Sequence, residues 1–313
     1  MHAVVIRDGQ LCWEERDDPV VGDTELLLAV RAAGINGADI MQRAGRYPAP
    51  PNAPADIPGM EVAGEVVAVG AQVTGYAAGD RVMSLVGGGG QATMAVIDES
   101  HALAVPDSLT WAEAGGFPEV FSTAHDGLFT QADLRIGERV LISGAAGGVG
   151  TAAVQLAAAT GARVVASVRD RAKHDEVLAL GADVVIDPGE VDAHGPYDVV
   201  LELVGAASLH TVLPHLAVGG RVVVIGVGSG AKLELNLLQL MGARARIGGA
   251  TLRNRTRREK ADVAAAVSAH VLPLLEGGRV RVPVWATFPL REAGAAYDRF
   301  SAGGKLGKIV LVP

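Results

Sequence analysis

Between residues 139 and 249 the chain alternates unbroken apolar runs with alanine-rich or amphipathic segments. Arg139-Val140-Leu141-Ile142 predicts a strand, and Thr151 to Ala157 has helical composition. Arg163 to Ser167 predicts the next strand, followed by a helix from Ala172 to Leu180 that Gly181 closes. Strands follow at Val184 to Ile186 and Val199 to Leu201, then a helix over Ser208 to Leu216 and a strand over Val222 to Ile225. Arg244 to Gly249 predicts the last strand. Apolar runs without alternation suit parallel strands covered on both faces. Helices between them imply a doubly wound parallel sheet, the Rossmann arrangement. Its span is 121–255.

The first turn of that sheet carries the chemistry. Ser143-Gly144-Ala145-Ala146-Gly147-Gly148-Val149-Gly150 joins a strand to a helix. It matches the dinucleotide pattern G-x-G-x-x-G with Ala145 in the first glycine position. Gly147 lets backbone approach a pyrophosphate, and Gly150 lets the helix pack closely on the strand. Free N–H groups at the helix start face the phosphate charge. Glycine-rich turns are common, so the placement between strand and helix is what gives the match weight.

The flanking segments have another texture. Ala3 to Ile6, Glu25 to Val30, Gly64 to Val69 and Arg81 to Leu85 are short β-patterned runs separated by Gly, Pro and Asp. Tyr47 to Pro58 holds five prolines and predicts a stiff irregular loop. Beyond Ala261 come an alanine-rich helix and the strand Ile309 to Val312. Residues 1–120 and 256–313 therefore predict a second, β-rich domain split around the first.

Composition narrows the functional classes. With 313 residues, 49% of them hydrophobic, two domains can be filled. A net charge of −8 speaks against a nucleic-acid surface. Arg163 and Arg221 interrupt the two best apolar stretches, so none reaches the roughly 18 residues of a membrane helix. Arg7 and Asp8 stand where a signal peptide needs its apolar core. Cys12 is the single cysteine, which excludes an intramolecular disulfide and a multi-cysteine metal site. These features fit a cytoplasmic protein. His125, His174, His194, His210 and His215 show no metal-ligand spacing.

Five segments resemble the medium-chain dehydrogenase/reductase superfamily along the whole chain: Gly34 to Asp39, Pro58 to Gly64, Gly79 to Val82, Ala145 to Gly150 and Gly307 to Leu311. The resemblance implies an α/β protein in which a GroES-like β-rich catalytic domain accompanies the Rossmann domain. In zinc-dependent members the first segment carries a cysteine ligand, the second a histidine, and a third cysteine opens the nicotinamide domain. Asn36, Met60 and Glu119 stand there in this chain. An amide, a thioether and one carboxylate suit Zn²⁺ poorly, and the four-cysteine structural loop is absent. No metal is expected. Zinc-free members are mostly NADPH-dependent quinone oxidoreductases. Asp39 to Arg43 with Tyr47, Gly87 to Gln91, and Thr251 to Arg255 are similar to the p53-inducible quinone oxidoreductase type.

The resemblance also assigns residues. Val168 takes the place where NAD enzymes keep an acid on the ribose, and Arg169 follows it. A guanidinium in place of a carboxylate favours the 2′-phosphate of NADPH, with Lys173 adding charge. Asp170 argues the other way, and Asp187 stands where relatives often have a phosphate-binding tyrosine. Arg169, Asp170, Arg171 and Lys173 also read as an ordinary solvated helix start. Thr123, Ala145, Gly147, Gly148, Val149, Gly150, Ser167, Val204 and Gly226 complete the implied cofactor contacts. Lys308 matches the cation that reaches the pyrophosphate in relatives, and Thr123 and Lys308 can also be simply structural.

Asn36 and Tyr47 are the candidate catalytic residues, implied to lie at the mouth of the nicotinamide cleft. Asn36 can hydrogen-bond a quinone oxygen or the cofactor ribose, and Tyr47 can stack on a flat substrate or donate a proton. Tyr47 can also simply pack its proline-rich loop. Glu61 is expected to be bonded to a nearby arginine rather than to act as a base. The basic cluster Arg253, Arg255, Arg257, Arg258 and Lys260 is expected to be a solvated helix start, and Gly87 to Gly90 a tight turn between strands. The expected activity is NADPH-dependent quinone reduction without zinc. Reduction of an enone or alkenal double bond, and NADPH binding without catalysis, are the alternatives. A small-molecule substrate and a homodimer paired through the Arg244 to Gly249 edge complete the expectation.

Overall fold

The apolar runs pair into two main sheets, one in each of two units. The computed structural model describes all 313 residues. One unit comprises Met1–Ser122, Leu252–Glu276 and Val282–Pro313, the other Thr123–Thr251 and Gly277–Arg281.

In the second unit six parallel strands lie in the order Val184–Ile186, Arg163–Ser167, Arg139–Ser143, Tyr197–Glu202, Leu216–Val224 and Arg246–Gly249. Numbered along the chain from Arg139 this is 3-2-1-4-5-6, the doubly wound Rossmann order. Leu141 sits in register with Val165 on one side and Val200 on the other. These residues, with Ile186, Leu209, Val212 and Val222, form a buried core. Each such side chain contributes about 1.5–3 kcal/mol when fully buried. Fully buried Tyr197 donates its hydroxyl to the Val191 carbonyl at 2.7 Å, so the core keeps no unpaired O–H.

Two details depart from the sequence pattern. The helix predicted to reach Leu216 stops at Val212, and Leu213–His215 is a 3-10 turn. Pro214 has no N–H to continue an α-helical ladder, and the strand begins directly at Leu216. The boundary also differs from the predicted 255/256. Leu252 onward belongs to the β-rich unit, while Gly277–Arg281 returns to the Rossmann unit. Gln155, buried in the helix Gly148–Thr160, donates to the Arg281 carbonyl at 2.9 Å and accepts from its N–H at 2.8 Å.

In the first unit Glu25–Gly34 is the central strand. It pairs antiparallel with Glu61–Val69, Met94–Asp98 and Lys308–Val312. Arg81–Leu85 and Ala102–Ala104 extend the sheet on one side, and Val284–Pro289 on the other. A hairpin, His2–Arg7 with Gln10–Glu15, turns at Asp8-Gly9, both with positive φ. An Asp-Gly pair is a strong turn signal of this kind. The pairing of Val310 with Gly34, and the 2.9 Å bond from Ile35 N–H to the Ile309 carbonyl, bring the last strand alongside Ile35 and Asn36.

At that point a short helix, Gly37–Arg43, begins. Asp39 is fully buried and accepts from the N–H of Asn36 at 2.8 Å and of Gly59 at 3.1 Å. Gly59 has φ +105°, and a Cβ there would meet the Gln91 nitrogen at 2.5 Å, so only glycine fits. Burial pushes the Asp39 carboxyl up to about 6, against the pull of those two N–H groups and of Lys308 and Arg253. Relative to an ordinary 3.8 this penalises the ionised form by about 3 kcal/mol. The folded pKa lies above the unfolded one, so this contribution to stability is complete below about pH 4 and is lost as pH rises through about 6. The predicted outcome is that Tm of the wild-type chain minus that of Asp39→Asn grows as pH falls from 7.5 to 4.5. A difference that stays constant across this window would show that Asp39 does not titrate abnormally.

Candidate active site

Three polar side chains meet inside the first unit where its last strand passes the end of Glu25–Gly34. Lys308 is 3% exposed. Its Nζ donates to Glu61 Oε1 at 2.6 Å, to Asn36 Oδ1 at 2.6 Å and to the Ile35 carbonyl at 3.0 Å. These three bonds use every N–H of the ammonium. Asn36 Nδ2 donates to Glu61 Oε1 at 2.9 Å, and the Glu119 N–H donates to Glu61 Oε2 at 2.9 Å. Glu61 and Asn36 are themselves buried. A buried charge is tolerated when it is both paired and hydrogen-bonded, and this pair satisfies both conditions.

This arrangement corrects one expectation and bears on a second. The partner of Glu61 is a lysine rather than an arginine. Lys308, matched in sequence to a pyrophosphate-reaching cation, directs all three of its donors to Glu61, Asn36 and Ile35. Nothing local in the sequence marks the link, because Lys308 and Asn36 stand 272 residues apart.

The same geometry tests the zinc positions. Asn36, buried Met60 and Glu119 offer one amide, one thioether and one carboxylate, and an ammonium lies 2.6 Å from the Asn36 oxygen. No group of three or more His, Cys, Asp or Glu side chains is placed to hold a metal. These residues do not fit a zinc ion.

Tyr47 belongs to a neighbouring network in the same unit, centred on Arg253. The guanidinium donates to the Gly87 carbonyl at 2.8 Å, the Tyr47 carbonyl at 3.1 Å and Gln42 Oε1 at 2.6 Å. It also lies over the Tyr47 ring, 5.1 Å from the centroid. Gln42 donates to the Ala55 carbonyl at 3.2 Å, so Arg253 holds both ends of the proline-rich loop and the glycine turn at residue 87. Burial lowers the Arg253 pKa, opposed by Asp39 and the hydroxyls of Tyr47 and Tyr297. The basic cluster is thus not a uniformly solvated helix start. Arg253 is 3% exposed and Lys260 is 9% exposed, while Arg257 pairs with Asp98 at 2.6 Å. Sequence reasoning did not foresee that Arg253 is buried and tethers these loops.

In the second unit Ala145–Gly150, Ser167, Val204 and Gly226 gather at the carboxyl ends of the parallel strands, where such sheets bind ligands. The helix Gly148–Thr160 begins at Gly147 without a side-chain cap, and Gly147, Gly148 and Val149 are partly exposed. A Cβ on Gly150 would meet the Gly144 carbonyl at 2.5 Å and Ala145 Cα at 2.6 Å. Open N–H groups on a 13-residue helix packed this closely suit a dinucleotide phosphate.

Buried Glu202, which no local sequence pattern singles out, organises the adjoining turn. It accepts from the N–H of Val204 at 2.6 Å and of Gly205 at 2.8 Å, and from the hydroxyls of Ser143 and Ser208. Its carbonyl takes the Gly226 N–H at 3.1 Å. Ser167 is buried in register with Ser143. Arg169 is exposed, whereas Arg171 pairs with Asp187 and Lys173 with Glu176 at 2.8 Å. Thr123 is buried on the helix Pro118–His125.

Comparison with known proteins agrees with this geometry. Residues 22–107 match the alcohol dehydrogenase GroES-like domain and residues 148–269 the zinc-binding dehydrogenase family. The quinone oxidoreductase of Sus scrofa is 32% identical over 305 residues, covering 94% of this chain and 91% of that protein. Among solved structures, a mycobacterial protein complexed with NADPH superposes with a TM-score of 0.90 at 28% identity, covering 100% of both chains. A Pseudomonas syringae quinone oxidoreductase superposes with a TM-score of 0.89 at 27% identity, again covering 100% of both. With a dinucleotide turn in one unit and a GroES-like domain in the other, the chain belongs to the medium-chain dehydrogenase/reductase family of oxidoreductases, quinone oxidoreductase type.

Proposed function

We propose that this chain is a zinc-independent, NADPH-dependent quinone reductase. The observation that carries the proposal is the Lys308 ammonium on the Asn36 amide, at the position where metal-dependent relatives place a zinc ligand. A cation there leaves an amide, and no Lewis acid, to meet a substrate oxygen. The relative from Sus scrofa and the Pseudomonas syringae structure are both named quinone oxidoreductases, which supports the substrate class.

Residues 145–150 with Ser167, Val204 and Gly226 would hold the cofactor, Thr123 would lie near its nicotinamide, and Arg169 with Lys173 would meet a 2′-phosphate. When bound, the cofactor supplies a hydride or electrons. Asn36 hydrogen-bonds a quinone oxygen and Tyr47 offers its ring to a flat substrate. A reduced quinone oxygen takes its proton from water, so no buried acid is required. The Tyr47 hydroxyl favours a second reading, reduction of an enone double bond, in which it is the general acid. No helix is long and apolar enough to cross a membrane.

Turnover of NADPH with 9,10-phenanthrenequinone, compared with a simple enone and with EDTA present throughout, tests the proposal. Quinone turnover is expected to be the faster and to survive EDTA. Tyr47→Phe should retain most of it, since solvent protonates the product. A double-bond reductase would instead lose about 10²–10⁴-fold on the same change, and loss of activity in EDTA would overturn zinc independence.

Arg169→Ala should weaken NADPH binding about ten- to a hundredfold, the equivalent of losing one charge-assisted contact, and leave NADH binding unchanged. Equal losses for both cofactors, measured by fluorescence titration, would remove Arg169 from the discrimination.

We also propose a homodimer. The strand Arg246–Gly249 is the uncovered edge of the parallel sheet, and Leu237, Leu238 and Met241 on the neighbouring helix Leu237–Ala243 are 64%, 80% and 69% exposed. Pairing two edges would remove both liabilities. Light scattering should report about twice the 32.0 kDa chain mass, and a value near 32.0 kDa at micromolar concentration would count against the dimer.

A further inference from the structure

We propose that the buried Lys308–Glu61 pair is a positioning device that locks the Asn36 amide in one orientation, so that Asn36 faces substrate as a hydrogen-bond donor and selects acceptor oxygens of the quinone or ketone class. The inference rests on the proposal that Asn36 meets the substrate and adds to it the direction of that contact.

An asparagine amide has two N–H donors and an oxygen with two lone pairs, and in isolation either end can face a ligand. Here Lys308 Nζ, a group that only donates, sits 2.6 Å from Oδ1. Glu61 Oε1, taken up by the ammonium and accepting only, sits 2.9 Å from Nδ2. Rotating the amide by half a turn would place N–H against N–H on one side and oxygen against oxygen on the other. Both contacts would be buried, with no water to relieve them. One orientation is therefore excluded, which settles the amide assignment by its network.

The locked amide is asymmetric. Its oxygen side is closed by an ammonium that also bridges to the Ile35 carbonyl and Glu61. Its nitrogen side gives one N–H to Glu61 Oε1 at 2.9 Å, and an amide nitrogen carries a second. A ligand oxygen that accepts, such as a quinone or ketone carbonyl, completes this amide. An incoming O–H meets Glu61 oxygens that already accept, Oε1 from Lys308 and Asn36 and Oε2 from the Glu119 N–H. The positive and negative charges of the pair cancel locally, so the site needs no charge on the substrate. Lys308 and Glu61 act through Asn36 and are positioning residues.

The chain has four asparagines, Asn36, Asn52, Asn236 and Asn254, which makes the amide directly observable in full-length protein labelled with ¹⁵N-asparagine. The Asn36 side-chain signal, assigned by its loss in Asn36→Ser, should show two separated proton shifts and exchange with solvent at least tenfold more slowly than the other three side chains. Adding 9,10-phenanthrenequinone without cofactor should move one of its two protons only. In Lys308→Met/Glu61→Gln, which removes both charges together and strands neither, the two proton signals should broaden or merge. Quinone kcat should fall about tenfold or more in that variant with NADPH affinity retained, and Lys308→Arg should recover the signal.

An Asn36 amide that exchanges like an exposed one, or is unchanged in the double variant, would overturn the lock. So would a double variant that loses NADPH affinity while its Asn36 signal stays intact, since Lys308 would then serve the cofactor. Absence of quinone turnover in the wild-type chain would sink the proposed function alone, because the amide signals are read without turnover.

Discussion

A buried ammonium and a buried carboxylate, Lys308 and Glu61, set the terms for the catalytic side of this protein. Removing two charges from water is costly, and their attraction offsets the cost only if every remaining donor and lone pair finds a partner. Lys308 spends its three N–H groups on Glu61, Asn36 and Ile35, and Glu61 fills its second oxygen with a backbone N–H from residue 119. That solution exists only if the strand Lys308–Val312 closes antiparallel on Glu25–Gly34 in one register. A slip by one residue would turn Lys308 to the opposite face. The pair thus ties the carboxyl-terminal strand, the end of the central strand and the start of the first helix into a single arrangement.

The short helix Gly37–Arg43 receives the consequences. Asn36 at its cap, Asp39 and Gln42 are spaced three apart, so they fall along one side of the helix. All three are buried and each answers to a different part of the unit. Asn36 belongs to the Lys308–Glu61 pair, Asp39 holds the Gly59 backbone, and Gln42 receives Arg253 and reaches Ala55. Seven residues of helix have little stability of their own. Their position comes from these three tethers, which also fix the loop that carries Tyr47.

The Rossmann unit solves its positioning problem with backbone instead of paired charges. Glu202 gathers two N–H groups and two hydroxyls at the end of its strand, and Gly150 lets the helix Gly148–Thr160 sit against the Gly144–Ala145 turn. What remains open at that end is a row of N–H groups with no side-chain cap. A phosphate-binding turn of this kind depends on close approach and on glycine, so its chemistry lies in short stretches of chain.

That difference explains how much of the protein the sequence determined by itself. Apolar runs of three or four residues, the A-x-G-x-x-G turn and the alternation of strand and helix are local patterns, and they specified the parallel sheet and its order of elements. The β-rich unit was different, because its sheet is assembled from segments at both ends of the chain. Glu61 was expected beside an arginine, and Arg253 and Lys260 were expected in water. Only the closed fold placed Lys308 on Glu61 and Arg253 on Gln42, across 247 and 211 residues. Buried charges choose their partners by proximity in space and by the cost of leaving any one unpaired. Neither quantity is written in the spacing of residues along the chain.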